Sequence, residues 1–177
     1  MITGIPTLIS TATPSNTSEV AIISGIDSTY NSYLFVFTDL YMHQDGDKFT
    51  FQSGASYNNS TTTAPINCYN YESGGTRALD FYGSGVASSE TGFVELTRGF
   101  DNSASSAMGG YMYLYNPANT SFLKVISWNM VNQLNTADGS TQQVGAGNIN
   151  VTAAVTQIKF KAQANNMTGT IQLYGIT

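Results

Sequence analysis

Apolar side chains recur at every second position in short runs of this chain, and nowhere at helical spacing. No window of fifteen residues joins the i, i+3, i+4, i+7 pattern to helix-forming residues. β-branched and aromatic runs alternate instead with clusters of turn residues. Strands are expected near 18–25, 33–41, 48–53, 66–71, 77–82, 92–98, 110–116, 121–130, 141–146, 155–163 and 169–176. So many short strands in 177 residues predict an all-β fold. The expected form is a two-sheet antiparallel β-sandwich, jelly-roll-like, with a single domain over 18–177 and an extended N-terminal arm over 1–17. The stretches 56–64 and 101–109 read as loops.

Four runs carry most of this reading. In "YLFVFTDLYMHQDGDKFTFQSG", Tyr33, Phe35 and Phe37 share one face, and Asp45-Gly46 supplies a hairpin turn before Phe49 and Phe51. In "YMYLYNPANTSFLKVISWN", Tyr111, Tyr113 and Tyr115 lie opposite Met112 and Leu114, with Pro117 in the turn. Both hairpins are expected to be covered on both faces, within a sandwich or within an oligomer. In "QIKFKAQ", Ile158, Phe160 and Ala162 point inward, and Lys159 and Lys161 outward, where they would discourage edge pairing. The run "TGTIQLYGIT", 168–177, has the same period and is expected to be held in a sheet or against a neighbour.

Charge narrows the functional classes. Only 10% of residues are charged and the net charge is −5, while 74 of 177 residues are Ser, Thr, Asn or Gly. A surface solvated by hydroxyls and amides suits a protein packed among many copies of itself or its partners. The six Lys and Arg residues are scattered singly, so neither a nucleic-acid groove nor a polybasic membrane segment is expected. No secretory leader is recognisable, and no run approaches the ~20 apolar residues of a membrane span.

The candidates for chemistry are sparse. His43 is the one histidine; with Asp45 and Asp47 it could share the face of a strand and hold a metal, but the turn reading of Asp45-Gly46-Asp47 is preferred. Cys68 reads as a small buried hydrophobe. Asp80, Glu90, Glu95 and Asp101 sit in separate contexts that nothing pairs. No catalytic residue, metal or cofactor is therefore expected. Candidates for partner contact are Ile2, Ile5, Leu8 and Ile9 on the arm, and the Tyr111, Tyr113, Tyr115 ladder, which could serve as core, subunit interface or sugar-stacking surface. Trp128 reads as core.

The segments "SGIDSTYNSYLFVFTDLYMHQDGDKFTFQSGASYN", "YLYNPANTSFLK" and "GTIQLYGIT" resemble recurrent segments of tailed-bacteriophage structural proteins of the marine and cyanobacterial type. The last is similar to their Gly-Thr-Ile-x-Leu-Tyr-Gly-Ile ending, and the resemblance spans most of residues 20–177. It implies a virion component made in the bacterial cytoplasm. The form favoured is a capsid decoration, or cement, protein bound outside the major capsid protein, and a homotrimer because shells offer three-fold positions. A tail fibre or tail-adaptor subunit, and a carbohydrate-binding module for host glycans, stand as alternatives.

Overall fold

The computed structural model describes residues 4–134 and 139–177. Among them are twelve strands: β1 (Thr7–Ala12), β2 (Glu19–Ile22), β3 (Ser32–Met42), β4 (Phe49–Ser53), β5 (Thr61–Tyr71), β6 (Arg77–Phe81), β7 (Val94–Glu95), β8 (Met108–Tyr115), β9 (Lys124–Leu134), β10 (Gly139–Ile149), β11 (Ile158–Ala162) and β12 (Met167–Ile176). They form two antiparallel sheets, an eight-stranded one in the order β1-β12-β3-β8-β9-β10-β5-β6 and a four-stranded one in the order β2-β11-β4-β7. The protein is an all-β sandwich.

The order has a simple origin. The chain steps from one sheet to the other at β1–β2–β3–β4 and again at β11–β12. The last strand pairs with the first and third, and the eleventh with the second and fourth. That is a long antiparallel ribbon rolled up, with β1-β12-β3-β8 over β2-β11-β4-β7, which is the strand order of a jelly roll. Two hairpins, β5–β6 and β9–β10, then extend the larger sheet beyond its partner. Underneath the extension, the segment 82–100 folds back. It is tied by Tyr82 N–H to Pro65 O at 3.1 Å, Thr63 N–H to Ala87 O at 2.9 Å, and the Thr61–Glu90 bridge.

The core lies where the two sheets overlap. Tyr33, Phe35 and Phe37 of β3, Met112 and Leu114 of β8, and Ile171 and Leu173 of β12 meet Phe49 and Phe51 of β4 and Phe160 of β11. Phe160 packs edge-on to Phe35 at 5.2 Å and to Phe37 at 5.1 Å, and stacks on Phe49 at 5.5 Å. Such ring pairs add about 0.5–1.5 kcal/mol each beyond area burial. Trp128 is buried on the same side, as expected of it.

Several expectations need correction. Asp45-Gly46 does form a turn, with Gly46 at φ 75°, but β3 and β4 do not pair as a hairpin. The chain arches across the core edge, because Phe37 and Phe49 each bury their ring and meet edge-to-face at 5.0 Å. The buried Asp47 pins this arch by accepting N–H bonds from Lys48 at 2.8 Å and from Ala164 and Asn165 at 3.0 Å. The expected loop 56–64 ends early, since β5 begins at Thr61, with Thr61 and Thr63 buried. Within the expected arm, Thr7–Ala12 is an edge strand hydrogen-bonded to β12, rather than a free extension. β11 lies between β2 and β4, so its lysines guard no edge; Lys159 instead pairs with Glu19 at 2.8 Å. The terminal run is held on both sides, by β1 and by β3.

Candidate docking face

The eight-stranded sheet has one face on the core and one on solvent. Register places Val36, Tyr111, Asn129, Val144, Ile66 and Phe81 in one row across six strands of the outer face. The next row is Tyr174, Leu34, Tyr113, Ser127, Ala146 and Ala64. On the other side lie Val131, Gln142, Cys68 and Leu79. No charged side chain stands in these rows. Exposure is high for such apolar groups: 41% for Tyr111, 48% for Ile66, 43% for Val144 and 73% for Leu79. Strand spacing and rise give a face about 30 Å across and about 20 Å along the strands. In projection that is on the order of 600 Å², the scale of one side of a standard protein interface, at roughly 800 Å² of accessible surface per partner.

The tyrosine ladder crosses this face. Tyr113 and Tyr115 stack with centroids 5.6 Å apart and planes 11° apart, and Tyr111 meets Tyr113 edge-on at 5.7 Å. Tyr115 Oη and Ser127 Oγ are 3.0 Å apart. Two depressions flank Tyr111. One, of about 330 Å³, arises because Ala64, Ser127 and Ala146 are small between Ile66, Tyr111 and Val144. The other, of about 490 Å³, lies over the β3 bulge, where register slips between Phe37 and Leu40 and Asp39 takes φ 50°. Gly110, at φ 155°, faces that bulge; a Cβ there would stand 2.2 Å from Asn129 O.

The structure sorts the residues singled out from sequence. Tyr111, Tyr113 and Tyr115 are on this face with Met112 and Leu114 behind them in the core, so within one chain β8 is covered on its inner side alone, and the sandwich itself does not supply the second covering. Leu8 is exposed on β1 opposite Tyr174, and Ile5 is exposed before β1. Ile9 turns the other way and packs on the core. Ile2 lies outside the described residues. Ile66, Leu79, Phe81, Val131 and Val144 were not foreseen. Their signal is an apolar residue alternating with Thr, Asn or Gln, which alone does not say which set faces out.

The candidates for chemistry do not converge. His43 is exposed, with Nε2 2.9 Å from Thr168 Oγ1; Asp45 points to solvent and Asp47 into the arch. Cys68 is exposed rather than buried, because its half of β5 faces outward. Glu95 accepts from Lys48 and Tyr82, Glu90 from the N–H of Gly92, and Asp101 from Ser103 and Ser106. Among the described residues no group of three or more His, Cys, Asp or Glu could hold a metal ion. Away from the docking face, burial pushes the Tyr33 phenol up, while hydrogen bonds from Ser103 and Ser106 hold Asp101 below the usual carboxylate range.

A scan against protein-family models finds no match, and searches of curated proteins and of solved structures find none either.

Proposed function

We propose that the protein is a non-enzymatic structural subunit of a tailed-bacteriophage particle, a decoration protein that cements the head shell from outside. The observation that supports this reading is the outer face of the eight-stranded sheet, whose central rows are apolar and uncharged, with the tyrosine ladder across it and Asp39 and Arg77 only at its margins. Contiguous exposed apolar surface of this extent marks an interaction site. Docked on the major capsid protein, the face buries Tyr111, Val144 and Ile66, and its central rows bring no charge to desolvate. Binding to the assembled shell and not to free subunits stabilises the shell by mass action. A homotrimer multiplies the effect, since linked copies gain about 10²–10⁴ in avidity over one.

A second reading, a carbohydrate-binding module, draws on the exposure of Tyr111 and Tyr115. It carries less weight, because Tyr113 and Tyr115 stack on each other and so close one ring face of each.

The test is particle incorporation. Ile66→Asp and Val144→Asp, on exposed positions, should fold as the parent does, yet fall off purified particles and lower their thermal stability to that of bare heads. The parent should be present at one or more copies per shell subunit. Undiminished occupancy of both variants, or a handful of parent copies confined to the tail, would overturn the reading.

A further inference from the structure

A second feature lies on the opposite side of the same extension. Beneath β5 and β6 a cleft of about 350 Å³ is lined by Lys48, Asp80, Phe81, Tyr82, Arg98 and Gly99. In a chain with 10% charged residues, four charged side chains meet around it: Lys48, Asp80, Glu95 and Arg98. Two of them neutralise each other. Lys48 Nζ lies 2.5 Å from Glu95 Oε1, and Tyr82 Oη donates to Glu95 Oε2 at 3.0 Å. Burial draws the Lys48 ammonium down in pKa, but the bond to Glu95, the carboxylate's charge and the neighbouring Tyr82 oxygen outweigh it, and the net displacement is upward.

The other two are left over. Arg98 is half-buried, with its guanidinium 5.0 Å above the Tyr69 ring, and it makes no hydrogen bond or ion pair with any described residue. Asp80 accepts one long bond, 3.4 Å from Asn67 Nδ2, and is not ion-paired with Arg98. A guanidinium held by an aromatic face presents a planar fork of donors suited to a carboxylate. An ionised carboxylate only accepts, so Asp80 suits hydroxyl donors.

We propose that this cleft binds an acidic saccharide unit, with its carboxylate on Arg98 and its hydroxyls on Asp80. A neutral sugar would leave Arg98 unpaired, and inorganic phosphate would bring its whole charge to bear on Asp80, without the spread of ring hydroxyls that a saccharide offers. The volume lies at the lower end of ligand pockets, which run from about 300 to 1,000 Å³. The cleft also opens away from the docking face: Asp80 is in register with the buried Asn67, whereas Ile66 and Cys68 beside it point outward. A particle decorated through the tyrosine face would therefore hold this cleft toward the host surface.

The experiment is calorimetric titration of the full chain with trigalacturonate and with N-acetylneuraminic acid, against a neutral galactose trisaccharide and sodium phosphate. Saturable binding of at least one acidic probe is expected, and of neither control. Arg98→Gln and Asp80→Asn should each weaken it tenfold or more, and Tyr111→Ala should leave it unchanged. Asp80 is exposed, so its variant keeps the test open if Arg98→Gln lowers the melting temperature. Absence of binding by both acidic probes would overturn the proposal. So would equal binding of the neutral trisaccharide, retained affinity in Asp80→Asn, or loss in Tyr111→Ala.

Discussion

Gly145 is the position where the sandwich tolerates least. It stands opposite Trp128 on the inner side of β10. A Cβ at Gly145 would lie 2.1 Å from Trp128 Cζ2, and 2.5 Å from both Cε2 and Cη2. The obstacle is a rigid ring that is 1% exposed, so it cannot swing into solvent as a flexible chain end would. Overpacking of this kind costs about 1–3 kcal/mol, and contact with three ring atoms places Gly145→Ala at the upper end. Alanine returns roughly 0.5–1 kcal/mol through the unfolded chain. A net loss of about 2 kcal/mol lowers the melting temperature by about 4–8 °C in a domain of this size. Trp128→Phe removes the obstructing benzo ring and leaves a void of its own. The double variant should therefore be more stable than the sum of the two single losses, with a coupling of about 1–2 kcal/mol. Thermal and urea unfolding of the four proteins measure the cycle. A Gly145→Ala melting temperature within 2 °C of the parent, or an additive cycle, would refute the assigned contact.

Three further outcomes are expected. Leu173→Ala, on a strand flanked by β1 and β3, should cost about 2–5 kcal/mol in urea unfolding; a cost below 1 kcal/mol would mean that β12 is not core. Lys124, fully buried, donates to the carbonyls of Phe122 at 2.7 Å and Thr152 at 3.0 Å. Lys124→Ala leaves them without a donor and should cost about 1–3 kcal/mol, seen as earlier melting and faster amide exchange in the 150–156 loop. Asp101 is held below its ordinary pKa by Ser103 and Ser106. The unfolded chain then binds the proton more readily, so the contribution is full above the unfolded pKa of about 3.9 and is lost as pH falls through the folded value. The melting-temperature gap between the parent and Asp101→Asn should shrink from pH 7 to pH 3, and a gap that widened would reverse the sign.

β3 and β11 were legible in the sequence because one parity of each gathers its largest apolar side chains. Tyr33, Phe35 and Phe37 could face only the core, and so could Phe160. β10 inverts that logic. Thr141, Gln143 and Gly145 point inward, and Gln142, Val144 and Ala146 point outward. The cause is the extension of the larger sheet beyond its partner. Much of the inner face there packs on the segment 82–100 and carries a polar network, in which Gln143 Nε2 donates to Asn67 Oδ1 at 2.7 Å and Thr141 Oγ1 donates to the same oxygen at 2.6 Å. A period of two says that faces alternate, not which one is buried, so the tyrosine ladder was visible while Ile66 and Val144 were not. β1 was hidden by its flanking prolines and hydroxyl residues, since its pairing depends on a partner far along the chain. Nor does any local signal join Asp80, on β6, to Arg98, near the far end of the folded-back segment.

The ribbon topology also dictates an order of events in the cell. Thr7 pairs with Gly175, and β3 takes its second neighbour from the same last strand. A ribosome delivers β12 after everything that flanks it. Until then β1 has no partner in the sheet and β3 shows an open edge rich in aromatic residues, a configuration that invites pairing with another nascent chain. The jelly roll can close only after those residues have been released, and its far-apart pairings set folding in the millisecond-to-second range typical of non-local sheets, of order a thousandfold slower than helical bundles. High-level expression should thus be limited by the lifetime of that open edge, and slower synthesis at lower temperature should raise the soluble yield more than added stability in the finished fold.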